Sequence, residues 1–302
     1  MTDTKGYSAI NQYIKSPMNY IGNKHKLLDK LFEYFPKDTD CFVDLFCGGC
    51  DVAINYELSS LKITYANDIN YHVIELYEYL QQNDICEIRD YIHSQIAKFQ
   101  LYKMNEQGFI EYRNWYNKSD NKSPIDLFLL TCYSFNRQIR FNNNHEYNSS
   151  FGKDRYYYRE IYEDGLIAFH QLLNNHNINF SKQDFVDFDY SIFDKYSDGF
   201  IYCDPPYRLA CAAYNDGKRG FRGWSEKDDK DLLHILDELS TFGIRFALSN
   251  VIEHKGETND VLIEWVKKNG YNVIPMNYNY NNCNYQAKNK NYTTKEVLIT
   301  NY

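Results

Sequence analysis

Residues Asp204, Pro205, Pro206 and Tyr207 hold a carboxylate and an aromatic ring at a fixed separation, because the two prolines between them stiffen the turn. The apolar run before them, 200–203, reads as a strand that delivers this tetrapeptide to the carboxyl end of a sheet, where α/β proteins bind ligands. Asp204 and the Pro205 carbonyl can accept hydrogen bonds from an exocyclic NH2, and Tyr207 can stack on the ring that carries it. Donation to two acceptors pulls such a nitrogen towards tetrahedral geometry and localises its lone pair. The pattern therefore suits group transfer to a flat, weakly nucleophilic amine. The bland alternative is a structural Asp-Pro turn.

A second constellation is DLFCGG at 44–49. A strand that ends on Asp and runs into adjacent glycines brings backbone close to a nucleoside or an amino-acid group. GxGxxG spacing is absent, which favours a cofactor without a pyrophosphate. A further apolar stretch ends on Asp68, 24 residues after Asp44, near the spacing at which a second-strand acid meets ribose hydroxyls. An ordinary strand-to-helix turn is the alternative. Cys47 and Cys50 form a CxxC, but a zinc site wants a second pair and the sequence has none, so no metal is expected.

The elements that must position these residues follow from apolar periodicity. Strand 41–46, the glycine turn, helix 52–58 and strand 61–68 make an opening βαβ unit of a Rossmann-like sheet. Strands are expected again at 178–185, 199–203, 244–250, 271–275 and 295–300. Ser225 and Asp228 can cap a helix with apolar positions Leu232, Leu233, Leu236 and Leu239. Between 73 and 175 the text is helical and polar in turn. It reads as an inserted, mostly helical domain, which leaves 1–72 and 176–302 as a discontinuous α/β catalytic domain. Segment 137–159 is too polar for a core and reads as a hairpin or long loop. The stretch at 215–225 looks glycine-rich and mobile, and 277–291 looks like a low-complexity loop.

The chain has 302 residues, 43% hydrophobic and 25% charged, which excludes wholesale disorder. No apolar run approaches the roughly 18 residues of a membrane span, and the first residues lack an apolar signal core, so a cytoplasmic protein is expected. The eight scattered cysteines read as reduced thiols. The net charge of −8 speaks against a nonspecific polyanion binder. A local basic face is compatible with it. Within 137–159, Arg137, Arg140, Lys153, Arg155 and Arg159 stand against Glu146 and Asp154, a balance of +3. Arginine reads guanine through O6 and N7, while other cations touch phosphate.

Taken together, these runs resemble the Dam-type DNA adenine-N6 methyltransferases, in particular the T-even phage branch. The matching blocks are YIGNKHKLL at 20–28, FVDLFCGG at 42–49, ANDI at 66–69, IRFN at 139–142, FGK at 151–153, IYCDPPY at 201–207, WSEKDDKDLLHILDEL at 224–239 and LSNVIEHKG at 248–256. The resemblance implies a class I methyltransferase sheet of seven strands, S-adenosylmethionine as cofactor, and duplex DNA as substrate, with a flipped-out adenine within GATC. It implies that Tyr20 and Lys24 belong to the amino-terminal cofactor segment and that Asp44, Phe46 and Gly48 line the methionine side. Asp68 would bind the ribose, Asp184 and Phe185 would meet the cofactor adenine, and Asp204 to Tyr207 would hold the target base. Phe135 or Asn136 would fill the vacated stack, and Arg137, Gln138, Arg140, Asn142, Lys153, Arg155 and Arg159 complete the DNA-binding set. A monomer is expected.

The chain departs from the family pattern at Gln138, at His145 where glycine is usual, at Ser150 and at Asp154, all in the part that reads sequence. Other readings are an amino-methyltransferase for RNA or another DNA sequence, and an inactive DNA-binding module. The first should carry an RNA-binding appendage, which is not evident. The second sits poorly with an intact DPPY. Cytosine-C5 chemistry needs a cysteine nucleophile, whereas Cys203 lies on the approach strand.

Overall fold

The computed structural model describes residues 13–120, 122–209, 223–276 and 294–302. The short apolar runs rich in β-branched and aromatic residues become the sheet. Its strands are β1 (Cys41–Asp44), β2 (Ile63–Asn67), β3 (Ile178–Ser181), β4 (Gly199–Cys203), β5 (Arg245–His254), β6 (Glu257–Thr258), β7 (Asn272–Pro275) and β8 (Thr294–Thr300). The spatial order is β3-β2-β1-β4-β5-β8-β7, with the two-residue β6 paired to β5 beside this path. The first five strands of that order are parallel, and β8 runs antiparallel between β5 and β7. This is the class I methyltransferase fold, its seven principal strands joined by one short extra strand.

The order reverses at β1, which lies between β2 and β4. A crevice opens at the carboxyl ends of strands at such a switch point. Asp44 at the end of β1 is in register with Ala66 on β2 and Tyr202 on β4, two residues before Asp204. The topology thus brings DLFCGG, Asp68 and DPPY to one edge. All five residues of β4 are buried, as expected of a central parallel strand covered on both faces.

The helices are α1 (Leu28–Tyr34), α2 (Asp51–Asn55), α3 (Tyr71–Gln82), α4 (Ile85–Phe99), α5 (Glu106–Lys118), α6 (Pro124–Tyr133), α7 (Glu160–Asn175), α8 (Glu226–Thr241) and α9 (Asp260–Asn269). Ser225 and Asp228 form the expected reciprocal cap on α8, whose Leu232, Leu233, Leu236 and Leu239 are buried. Gly270 ends α9 at φ 71°, a left-handed conformation that suits glycine. Helix α6 is buried on every side from Ile125 to Tyr133, as a helix apolar all round must be. Its Asp126 accepts the hydroxyls of Tyr112 at 2.6 Å and Tyr91 at 3.0 Å.

Helix α3 touches β3, α6 and α7. One apolar cluster accordingly runs without a break from Ala66 and Ile178 in the sheet to Phe109, Phe128 and Phe169 in the helices. Segment 134–151 is a pinned hairpin-like loop with two isolated antiparallel bridges, Ser134 to Phe151 and Phe141 to Tyr147. Among the described residues no helix is long and apolar enough to cross a membrane. Of the stretches expected to be loops at 215–225 and 277–291, residues 215–222 and 277–291 lie outside the described residues, and Gly223 to Ser225 lead into α8.

Candidate active site

A cavity of about 510 Å3 occupies the switch point, closed on one side by residues 19–24. All the residues expected to hold the cofactor line it: Tyr20, Lys24, Asp44, Phe46, Gly48, Asp68, Asp184 and Phe185. Asp204, Pro205, Pro206 and Tyr207 line the same cavity.

The first half of the cavity is built by the turn after β1. Gly48 has φ 46°, and a Cβ there would come within 2.7 Å of the Tyr20 ring. Glycine is thus required by both backbone and space. Its N–H donates to Asp68 Oδ2 at 2.8 Å, and the Asn70 N–H donates to Asp68 Oδ1 at 2.8 Å. Burial pushes the Asp68 carboxyl up, against the pull of these two N–H groups. Asp44 is 1% exposed, and neither of its oxygens has a hydrogen-bond partner among the described residues. Burial, then the charges of Asp204 and Asp68, hold its carboxyl well above the usual carboxylate range. Asp51, behind the glycines, accepts the Ser16 N–H at 2.8 Å and is pushed up to about 6 by burial. A concave site lined by buried acids invites a cationic or hydrogen-donating ligand.

The wall opposite is aromatic. Phe46, Phe185 and Trp224 lie 5.2–5.7 Å apart by ring centroids. Trp224 is held by its Nε1–H, which donates to Asp229 at 2.8 Å, and Asp229 also accepts from Arg208 Nε at 2.9 Å. Asp184 caps the short turn that carries Phe185.

In the second half, Lys24 lies 5% exposed and donates to Asp204 Oδ2 at 2.6 Å. The Tyr207 hydroxyl is 2.8 Å from Asp204 Oδ1 and 2.8 Å from Glu296 Oε1. The Lys24 ammonium lies 3.8 Å from Glu296 and 5.0 Å above the Tyr207 ring. Burial pushes the Asp204 carboxyl up, and the Lys24 charge opposes that. Lys24, expected on the cofactor side, is therefore bonded to the DPPY acid.

Sequence reasoning missed Glu296 and Trp224. Glu296 lies in a strand that the apolar run at 295–300 had marked, on the same face as Leu298. An acid on the buried face of an apolar strand was the available signal. Trp224 opens the matching block at 224–239 and sits next to the capping Ser225, but nothing in the sequence tied its ring to the cavity.

None of the residues expected to touch DNA lines the cavity, although their neighbours Ile139 and Phe141 do. Phe135 is 48% exposed, and Arg140, Lys153 and Arg155 are exposed. Asn136 is exposed, with its carbonyl accepting the Asn19 amide at 2.8 Å and its side-chain Oδ1 accepting the Tyr156 hydroxyl at 3.1 Å. Three further side chains of the set are engaged within the protein. Arg137 donates to the Pro17 carbonyl at 2.6 Å and lies 3.9 Å over the Tyr162 ring. Asn142 accepts two backbone N–H groups of its own turn and donates to Glu146. Arg159 donates to the Tyr162 hydroxyl at 2.5 Å. The Gln138 carbonyl anchors the loop by accepting from Tyr147 and Ser149.

A family model described as D12 class N6 adenine-specific DNA methyltransferase matches residues 20–282. The chain is 42% identical to the type II methyltransferase M.FokI of Planomicrobium okeanokoites over 98% of its own length and 44% of that protein. It is 41% identical to the modification methylase StsI of Streptococcus sanguinis, again over 98% of this chain and 44% of the relative. The DNA adenine methylase of Salmonella typhi is 25% identical over 77% of this chain and 79% of the relative. The chain thus spans less than half the length of the first two relatives.

Proposed function

The chain belongs to the D12 class of N6 adenine-specific DNA methyltransferases, and from that premise we propose how its cavity divides the work and which surface meets DNA. One observation carries the reading: the DPPY turn and the Asp44–Asp68 pair open into one cavity. The donor set fits S-adenosylmethionine, which has a sulfonium, an ammonium, ribose hydroxyls and an adenine. Asp44, with both oxygens unpartnered, would take a cationic or N–H group. Asp68, oriented by Gly48 and Asn70, would accept the ribose hydroxyls. Phe46, expected on the methionine side, packs 5.7 Å from Phe185, so these two rings would flank the adenine, and Tyr20 with Gly48 would close the methionine side. When bound, the cofactor supplies an electrophilic methyl on sulfur.

Asp204 and the Pro205 carbonyl would accept the two N6 protons of a target adenine flipped out of the duplex. The N6 lone pair would form the new carbon–nitrogen bond, the sulfur of the donor would keep the carbon–sulfur pair and leave as the thioether, and one N6 proton would pass to the Asp204 carboxylate or through it to water. That proton becomes acidic only as the methyl arrives, so positioning and electrostatics matter more than a prior deprotonation. Asp204→Ala should lower single-turnover methylation about a hundredfold or more. Binding of S-adenosylhomocysteine and Tm should barely change, since Glu296 remains to neutralise Lys24. Equal loss of stability and activity would favour a structural turn.

The loop 135–155 is the proposed reading surface. Phe135, which is 48% exposed, would fill a vacated stack, Arg140 is the base-reading candidate, and Lys153 and Arg155 would contact phosphate. The engaged Arg137, Asn142 and Arg159 would act chiefly by holding this loop. GATC as the target rests on the likeness to the Dam-type chains. The relatives at 41% and 42% identity bear modification-methylase names. The methylation profile should therefore span all short duplex sequences, with GATC as the reference.

A further inference from the structure

We propose that Glu296 is a positioning residue that takes hydrogen-bond donors off Asp204 when the target amine arrives. The proposal rests on the reading of Asp204 as the acceptor for that amine. Both oxygens of Asp204 are already engaged: Oδ1 with the Tyr207 hydroxyl at 2.8 Å and Oδ2 with the Lys24 ammonium at 2.6 Å. Two lone pairs remain, but an acceptor already shared with a hydroxyl and an ammonium offers a weaker bond to an incoming N–H. The Tyr207 hydroxyl carries one proton and lies equally close to two carboxylates, so it donates to one of them at a time. Rotation about its C–O bond is enough to pass the hydrogen bond from Asp204 Oδ1 to Glu296 Oε1.

Lys24 has the same choice. It donates to Asp204 and to the Gly22 carbonyl at 3.3 Å, and it lies 3.8 Å from Glu296. A shift of about 1 Å would bring it to charge-assisted hydrogen-bond distance of Glu296. Glu296 can receive it at Oε1, the oxygen 3.8 Å away, because a carboxylate oxygen has two lone pairs and can accept from Lys24 beside the Tyr207 hydroxyl. The side chain is 3% exposed and its Oε2 has no partner among the described residues, so this buried carboxylate is short of donors as it stands. The exchange needs no proton transfer and no backbone movement. It keeps Lys24 paired throughout while Asp204 turns to the substrate.

A merely structural Glu296 would neutralise Lys24 and do nothing more. The two roles separate in a double-mutant cycle read by single-turnover methylation. Glu296→Met keeps length and removes the acceptor, and it should slow transfer about tenfold, the loss of one ordinary hydrogen bond. The dissociation constant for S-adenosylhomocysteine should stay within about twofold, because Glu296 lies on the target side. In a Tyr207→Phe background Asp204 Oδ1 is already released, so Glu296→Met should cost clearly less than it does alone. Glu296→Gln, which retains an oxygen acceptor, should keep most of the wild-type rate. Losses that multiply independently, or a Gln variant as slow as the Met variant, would overturn the proposal. Should the Met variant not fold, the isosteric Gln variant still decides by its rate. If Asp204→Ala retains transfer, the failure lies with the reading of Asp204 and not with Glu296.

Discussion

The cavity and the reading loop are held in shape by opposite means. In the cavity, the buried acids Asp44, Asp51 and Asp68 converge with the half-buried Asp204, which is paired with Lys24, and the buried Glu296 stands behind that pair. The groups that do chemistry are themselves the groups that are buried, and several are kept from their ordinary protonation range. In the loop the order is reversed. Tyr147, Phe141 and Ser149 are buried and tie down the backbone, while Arg140, Lys153 and Arg155 point outward. Strain there lies in the main chain, with Asn136, Arg137, His145 and Asp154 all at positive φ. On the proposed reading, chemistry would be fixed by burial of the side chain, which makes residue type hard to change. Recognition would be fixed by backbone shape, which leaves the outward side chain replaceable at little cost in stability.

The largest effect that would sharpen this contrast is expected at Arg140. If Arg140 makes a bidentate contact to guanine, Arg140→Ala should cost about 1–3 kcal/mol of discrimination at one base pair while Tm is unchanged. A methylation profile over all single-base variants of the best duplex, at one salt concentration, measures this. A uniform loss with a salt slope reduced by about 1 would reassign Arg140 to phosphate. A profile and affinity identical to wild type would remove it from the interface. Lys153→Ala serves as the phosphate-contact comparison.

The same contrast explains what the sequence disclosed. Asp44, Gly48, Asp68 and Asp204 were legible because a glycine turn and a proline turn after apolar strands leave few physical alternatives, and because their order along the chain resembles a known family. The α/β order and the last two strands, expected at 271–275 and 295–300, followed from strand text of the same kind, whereas their antiparallel direction did not. Glu296 was hidden because its partners, Lys24 and Tyr207, come from 272 and 89 positions away in the chain. No local pattern announces a contact closed only by the sheet. Nor could spacing reveal that Arg137 and Arg159 are spent on Tyr162, since five cations in a polar stretch look alike until the backbone is placed. His145 is the converse case. Its departure from an expected glycine marked a position that does adopt φ 57°.

A smaller effect tests the cost of the buried acids. The folded protein holds the Asp44 carboxyl well above its ordinary value of 3.8. The native state therefore binds a proton that the unfolded chain has released. Stability is greatest below the unfolded value and falls as pH rises through the window up to the folded value. Asp44→Asn removes that ionisation. It should stabilise the cofactor-free protein at neutral pH by on the order of 1 kcal/mol, seen as a Tm higher by about 2–4 °C. The gain should vanish below the unfolded carboxylate value, and S-adenosylhomocysteine should bind more weakly at neutral pH. A variant that loses stability at neutral pH would mean that Asp44 is tied into the fold rather than held for a ligand.

The smallest effect is expected where the strain is in the backbone. His145 closes a turn in which its N–H donates to the Asn142 carbonyl at 3.0 Å, and its side chain is exposed. A left-handed conformation costs a non-glycine residue about 1–2 kcal/mol. His145→Gly would relieve that. Glycine also gives the unfolded chain more freedom, which costs about 0.5–1 kcal/mol. The two terms oppose each other, so Tm should move by no more than about 2–4 °C. Cofactor affinity should be unaffected, since His145 does not line the cavity. The shape of the base-pair profile should also persist, because Asn142 and Glu146, not the imidazole, hold the turn through their mutual hydrogen bonds. A profile altered at one base pair with Tm unchanged would give His145 a reading role beside Arg140. A large fall in Tm would show that the imidazole, rather than the turn, secures this end of the loop, and would break the division between side chains fixed by burial and side chains free on a fixed backbone.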